Sequence, residues 1–296
     1  MEKYIILDKQ VGETPLACLE SYRAQHPELV GIAMTYAGRL DPMASGTLLV
    51  LLGDECKNQT EYHNLDKEYE FSVLLGIGSD SHDVLGRLQT APASPALPST
   101  HTLLARPSQT HPRTVTTALS ELQEKLQLIS DEDLTGNIEL PYPHFSAKTV
   151  QGKPLHMWTL ENRLDEIEIP TKQSIIYSLT LDSIETKSRA EVCREARTKI
   201  NTIPEVTEDT KTLGNDFRRV DVRQDWENIL SDNSLPEHYY IAHFTCNASS
   251  GTYMRTLAHL IGQRLTPSVP SLAWRIHRTK IGVFDDINHN WKKQYN

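Results

Sequence analysis

The stretch MTYAGRLDPMASGTLLVLLGDECK, Met34 to Lys57, decides how the rest of the chain is read. It sets one carboxylate, Asp41, in a turn marked by glycine and proline, just ahead of a long apolar run. Gly38 and Gly46 free the backbone on either side, and Pro42 restricts Asp41 to extended or turn conformations. Thr47 to Leu52 then reads as a fully buried strand. An acid is held in a stiff corner at the start of a core strand. Taken by itself, Asp-Pro is also a plain turn initiator, because Asp, Pro and Gly are the commonest turn residues for reasons unconnected with chemistry.

Working outward, KYIIL (Lys3 to Leu7) reads as a short buried strand, and a helix follows from about Thr14 to Ala24 with Leu16 and Leu19 on one side. Asp66 to Ile77 alternates as a strand, with Tyr69 and Phe71 on one face and Glu68 and Glu70 on the other. The polar loop Gly76 to Gly86 carries Asp80 and Asp83; it misses the ligand pattern of an EF-hand, and no metal is assigned. Five prolines between Thr90 and Pro112 mark an exposed connector. Thr116 caps a helix running to about Ile129, with Leu119, Leu122, Leu126 and Ile129 as its apolar stripe. Near the end, YYIAHFTCN (Tyr239 to Asn247) reads as a strand and Thr252 to Leu265 as a helix, with Leu257, Leu260, Ile261 and Leu265 inward.

With 296 residues and 38% hydrophobic content, the chain is long enough for a sizeable core. A net charge of -9 disfavours a nucleic-acid partner if it is averaged over the molecule. The charges are segregated, however. Tyr239 to Phe284 contains no Asp or Glu yet holds Arg255, Arg264, Arg275, Arg278 and Lys280, and Leu140 to Leu160 is also acid-free, with Lys148 and Lys153. A basic face on an acidic body fits this pattern. Cys18, Cys56, Cys193 and Cys246 form no C-x-x-C pair, so neither a disulfide framework nor a zinc site is indicated. Without a signal-peptide core or a membrane-length apolar run, the reading is a cytoplasmic protein.

GRLDPMASGTLLVLLGDECK resembles the aspartate motif of the TruB family of tRNA pseudouridine synthases, and further segments match the family in order. LDKQVGETP is similar to its opening motif, with Lys9 in the lysine position and Gln10 in place of the usual proline. DKEYEF resembles the segment whose tyrosine stacks on the target base, which is Tyr69 here. LTGNIELPYPHFSAKTVQGKPLHMW keeps a Ser146-Ala147-Lys148 core, with His144 and Phe145 before it and His156 replacing a tyrosine. SSGTYMRTLAHLIGQRL places Tyr253 and Arg255 at functional positions, with His259 where the family often has Asp, and WRIHRTKIGVFDD places Ile276 at the apolar pocket position. Tyr36 stands where the family carries a histidine that wedges the RNA loop.

The resemblance implies an α+β fold, one mixed and mainly antiparallel sheet with flanking helices, forming a single catalytic domain over residues 1–296. Within it, Glu185 to Glu237 reads as an insertion, helical from Ser188 to Ile200, and no C-terminal PUA domain is expected. The implied activity is isomerisation of the T-arm uridine of tRNA to pseudouridine by a monomer, with no cofactor, metal, membrane or DNA. Asp41 would be the catalytic carboxylate, with Arg255 its natural partner; Tyr69, Tyr253, Ile276, Tyr36 and Lys9 would join Arg255 in binding substrate. Two alternatives are a tRNA-folding chaperone and the catalytic subunit of a guide-RNA complex.

Overall fold

The apolar runs and alternating segments of the sequence become strands of one sheet, described here from a computed structural model covering residues 2–90, 115–203 and 219–295. In chain order the strands are β1 (Tyr4–Lys9), β2 (Met34–Ala37), β3 (Ala44–Leu52), β4 (Asp66–Leu75), β5 (Ile77–Ser79), β6 (Leu88–Thr90), β7 (Gly136–Pro141), β8 (Thr149–Val150), β9 (Lys153–Pro154), β10 (Thr171–Ser188), β11 (His238–Ala248), β12 (Ser271–Asp285) and β13 (Asn290–Gln294). The helices are α1 (Pro15–Gln25), α2 (Gln59–His63), α3 (Val115–Leu128), α4 (Leu155–Leu160), α5 (Arg189–Asn201), α6 (Arg219–Ser231) and α7 (Met254–Arg264).

Among the described residues the main sheet has nine strands, in the order β1-β3-β12-β4-β11-β10-β7, with β2 added to β3 and β13 to β12. Its pairings are antiparallel except β3 with β12, which run parallel at Ile276↔Ala44, His277↔Ser45 and Arg278↔Gly46. The fold is α+β with a mixed, mainly antiparallel sheet, as the sequence implies.

Helices cover both faces. On one, Phe71, Val73 and Phe244 of the sheet pack against Leu122 and Leu126 of α3 and Leu257 and Ile261 of α7. On the other, Leu74, Ile241 and Leu272 meet Val192 and Ile200 of α5 and Trp226 of α6. A bulge in β12 between Ala273 and Arg275 decides which side chains reach the first face. Side chains alternate along a strand, so an unbulged β12 would send Arg275 and His277 to the side occupied by Ala273. The extra residue, Trp274, reverses the alternation and sends Ile276 there instead.

Several expectations change in detail. The strand after Asp41 starts at Ala44 rather than Thr47, because β3 must reach back to pair with Ile276. Thr14 caps α1 by accepting from the Ala17 amide at 3.0 Å, but Leu16 is 57% exposed, so Leu19 alone of that leucine pair is in the core. The Tyr253 backbone is extended, so α7 starts at Met254. Glu185 to Ser188 belongs to β10, paired with His238 to Ile241 of β11, and the extra helices begin only after it. The helix expected from Thr116 is present as Val115–Leu128; the Thr116 side chain and the connector after Thr90 lie outside the described residues. Among the described residues, no helix is long and apolar enough to cross a membrane.

Candidate active site

Two glycines in the left-handed region shape the Asp41 corner: Gly38 at φ +79° and Gly46 at φ +100°. Gly46 lies against β12 so closely that a Cβ there would stand 2.3 Å from the Arg278 carbonyl oxygen, which leaves no room for a side chain. The turn is closed by the Ala44 amide, which donates to the Asp41 carbonyl at 2.9 Å, and is tied to the N-terminal segment by the Gly12 amide, which donates to the Pro42 carbonyl at 2.8 Å. Asp41 is thus placed by backbone on both sides while its own side chain stays 38% exposed.

Arg255, in the first turn of α7 and 4% exposed, reaches this carboxylate. Its Nε donates to Asp41 Oδ2 at 2.7 Å. The rest of the guanidinium ties two further segments to the same point, Nη1 donating to the Ser81 carbonyl at 2.9 Å and Nη2 to the Phe145 carbonyl at 3.1 Å. Asp83 Oδ2 stands 3.9 Å from Nε. Burial pulls the Arg255 pKa down, but the Asp41 and Asp83 carboxylates outweigh it and hold the group above its ordinary value. Burial pushes Asp83 up in spite of Arg255, while a hydrogen bond from Ser81 Oγ at 2.6 Å favours its ionised form.

A cavity of about 730 Å³ opens above this pair, large enough for a drug-sized ligand. Asp41, Tyr69, Tyr253, Arg255 and Ile276 all line it, though they come from the corner, β4, α7 and its cap, and β12. Asp41 is the sole carboxylate among the described residues of its wall. Tyr69 is 9% exposed; burial raises its phenol, and the adjacent Arg278 guanidinium opposes that shift. The cavity's remaining lining supplies cations and hydrogen-bond groups, among them His63 and His156, and no cluster able to hold a metal ion occurs among the described residues.

Lys9 and Tyr36 are not on this wall. Lys9 is fully buried beneath the corner, its ammonium donating to the carbonyls of Ala44 at 2.6 Å and Gln10 at 3.0 Å, and burial pushes its pKa down to about 8. Tyr36, on β2, lines a smaller neighbouring cavity of about 340 Å³ that shares Arg39 and His63 with the first.

Two residues on the wall were not singled out from the sequence. Arg278, 1% exposed, donates to the carbonyls of Thr47 at 2.8 Å and Gly38 at 3.1 Å, which fastens both ends of the corner. Lys67, 4% exposed, donates to the carbonyls of His63 at 2.9 Å and of Leu65; burial, and then Arg278, push its pKa down to about 7. A Cβ on Gly38 would stand 3.5 Å from Arg278 Nη1 and 3.6 Å from Lys67 Cε, so the three pack as a unit. The available signal was Arg278 two residues beyond Ile276 on one strand, facing the same way, together with Lys67 two residues before Tyr69.

Residues 30–106 match a family model described as the N-terminal domain of TruB family pseudouridylate synthases. A protein named tRNA pseudouridine synthase B from Caldicellulosiruptor saccharolyticus is 29% identical over 181 residues, covering 61% of this chain and 52% of its own length. One of the same name from Bifidobacterium longum subsp. infantis is 27% identical over 288 residues, covering 95% of this chain and 63% of its own. The chain therefore spans less than two thirds of the length of either relative. Among solved structures, a Cbf5-Nop10-Gar1 complex aligns with 95% of this chain and 49% of the matched one, at 15% identity and a TM-score of 0.48. The family match contains both the Asp41 corner and the Tyr69 strand, and the two named relatives align over 61% and 95% of the chain.

Proposed function

We propose that this protein isomerises a uridine in the T arm of tRNA to pseudouridine, with Asp41 as the catalytic carboxylate. The observation that carries the reading is the 2.7 Å pairing of a part-exposed carboxylate with a buried guanidinium in the wall of a cavity that Tyr69, Tyr142 and Tyr253 also line. The names of the relatives supply the tRNA substrate.

The reaction breaks the bond between uracil N1 and ribose C1′, turns the detached ring in place, and forms a bond between C5 and C1′. C5 gives up a proton and N1 gains one, so nothing is oxidised or reduced and no cofactor is consumed. Asp41 supplies an electron pair, either to C1′ as nucleophile or to a ribose C–H as base; both routes need it ionised. Arg255 serves that need, since a guanidinium at hydrogen-bond distance favours the charged carboxylate. The uridine must first leave its stack, at a cost of a few kcal/mol. Stacking on Tyr69 returns about 1–3 kcal/mol of this. Tyr253 and Ile276 close the pocket around the detached ring, and Lys9 and Arg278 hold the backbone that carries Asp41. The enzyme acts in the cytoplasm, where tRNA matures.

Incubation with an unmodified tRNA transcript, followed by position-resolved mapping, tests the proposal. The expected product is pseudouridine at one T-arm position; tight binding with every uridine intact would leave an RNA-binding role and refute the activity.

A further inference from the structure

Arg255 reaches Asp41, the Ser81 carbonyl and the Phe145 carbonyl, and beside these anchors lies a group of histidines that the chemistry at Asp41 does not use. His82 follows Ser81, His144 precedes Phe145, and His259 stands four residues after Arg255 on α7, on the same side of the helix. None of the three lines the cavity, so none touches a substrate bound there.

The centre of the group is His82, in the loop between β5 and β6. Its backbone is left-handed, at φ +60°, a conformation that residues with a side chain adopt rarely and keep only where their surroundings hold them. The turn matters for Arg255, because the residues on either side of His82 both face the guanidinium: the Ser81 carbonyl at 2.9 Å from Nη1 and the Asp83 carboxylate at 3.9 Å from Nε. Backbone fixes part of the turn, the His82 amide donating to the Ser79 carbonyl at 3.1 Å and the His82 carbonyl accepting from the Ala273 amide of β12 at 2.9 Å. Stacking fixes the ring. It lies on the His259 ring with 4.0 Å between centroids and 7° between planes, and the His144 ring stands 6.0 Å away at 45°. The buried Nδ1 of His82 has no hydrogen-bond partner, so stacking rather than a hydrogen bond orients that side of the ring. Burial pushes the pKa of His82 down to about 3 and lowers that of His259, so the stack joins two neutral rings.

We infer that His82, through its stack on His259, is a positioning residue for the isomerisation: it fixes the turn that presents the Ser81 carbonyl and the Asp83 carboxylate to Arg255, and so sets the guanidinium that pairs with Asp41. This rests on the reaction proposed above. The stack joins the two segments that have to stay in register for that pairing, the loop after β5 and the helix that carries Arg255. When the stack is lost, the loop drifts from α7 and the guanidinium leaves its place beside the carboxylate.

The test is pseudouridine formation in a T-arm stem-loop RNA under single-turnover conditions, with affinity for the same RNA measured in parallel. The proteins compared are wild type, His82→Gly, His259→Ala, His259→Phe and the His82→Gly/His259→Ala double variant. Glycine suits φ +60°, so His82→Gly removes the ring without straining the turn. Its rate falls by about 10- to 10²-fold, the range for a reacting group displaced by up to about 1 Å, while its RNA affinity stays within about two-fold of wild type. His259→Ala gives the same fall, and His259→Phe, which keeps a stacked ring, recovers most of it. The double variant is no slower than either single one, because each substitution removes the same stack. His82→Gly alone decides the question where His259→Ala fails to fold. A wild-type rate in His82→Gly, losses that multiply in the double variant, or a fall in rate matched by an equal fall in RNA affinity would overturn the positioning role. Wild-type protein that binds the RNA and forms no pseudouridine would refute the activity and the positioning role with it, whereas an active wild type with unaffected variants refutes the positioning role alone.

Discussion

The two faces of the central sheet bury very different things. Toward the cavity, Lys9, Lys67, Arg255 and Arg278 are each no more than 4% exposed, and among the described residues only Arg255 has carboxylate partners; the other three rest on backbone carbonyls. On the far face, α5 and α6 bury Val192, Cys193, Ile200 and Trp226 against Leu272 and Trp274, and their ion pairs, such as Lys187 with Glu195, stay at the rim. Lys199 comes near that core: its ammonium lies 3.6 Å over the Trp274 ring and donates to the Trp274 carbonyl at 2.7 Å, and burial pushes it down to about 7. Burying an unpaired charge costs several kcal/mol, more than a carbonyl returns, whereas burying apolar area stabilises by about 25 cal/mol per Å². The far face is built for stability. The cavity face gives stability up to fix one corner of backbone and one carboxylate.

Arg255→Met breaks that division most severely, because the same guanidinium serves both ends. It frees Asp41 and leaves Asp83, 5% exposed, without its cation. Turnover should vanish and chemical denaturation should show a loss of about 3–5 kcal/mol, the usual cost of breaking a buried pair. A variant with unchanged stability would mean that Asp83 is held by Ser81 and the Leu85 amide alone. Trp226→Ala separates the faces. Trp226 is fully buried, 6.3 Å between centroids from Trp274, and donates to the Val84 carbonyl at 3.3 Å. Its loss should cost about 3–5 kcal/mol while kcat, measured well below the melting temperature, stays within about two-fold. A large fall in kcat would show that the far face positions the site.

A third effect is a pH dependence in the histidines beside the site. His82 stacks on His259 at 4.0 Å and lies 6.0 Å from His144, on the segments that Arg255 ties together. Burial pushes His82 down to about 3 and lowers His144 and His259 too; Arg255 adds to the shift at His82, and Asp80 opposes it at His144. Since folded pKa values below the unfolded value of about 6.5 disfavour protonation, this contribution is complete above that pH and is lost as pH falls toward the folded values. Unfolding free energy should fall below pH 6.5 by up to about 1.4 kcal/mol per pH unit for each histidine. His259→Phe keeps a stacked ring and should flatten the curve measured from pH 7.5 to 5; an unchanged slope would place the titrating groups elsewhere.

The same contrast explains what was legible in the sequence. Asp41, Tyr69, Tyr253, Arg255 and Ile276 each lie in a short segment with its own turn, strand or helix signals, so their elements were readable and their meeting in one cavity followed from the family pattern. Arg278 and Lys67 escaped because their burial is not local: it depends on the parallel register that sets Arg278 against Gly46, and on the bulge at Trp274. Leu16 misled because two leucines three residues apart suggest a helix face even where the second layer covers only one of them. The end of β10 was read as insertion because Glu185 to Ser188 carries no apolar alternation; its pairing with β11, not its side chains, makes it a strand.

The most direct test of the cavity face is Asp41→Asn, which keeps the size of the side chain and removes its charge. Binding of T-arm RNA and the melting temperature should stay close to wild type, because the corner is held by Gly38, Gly46, Lys9 and Arg278, while pseudouridine formation under single-turnover conditions should fall below detection, beyond the roughly 10²–10⁴-fold usual for a lost acid–base group. Pseudouridine formed by this variant at a rate near that of the wild type would show that Asp41 is not the catalyst.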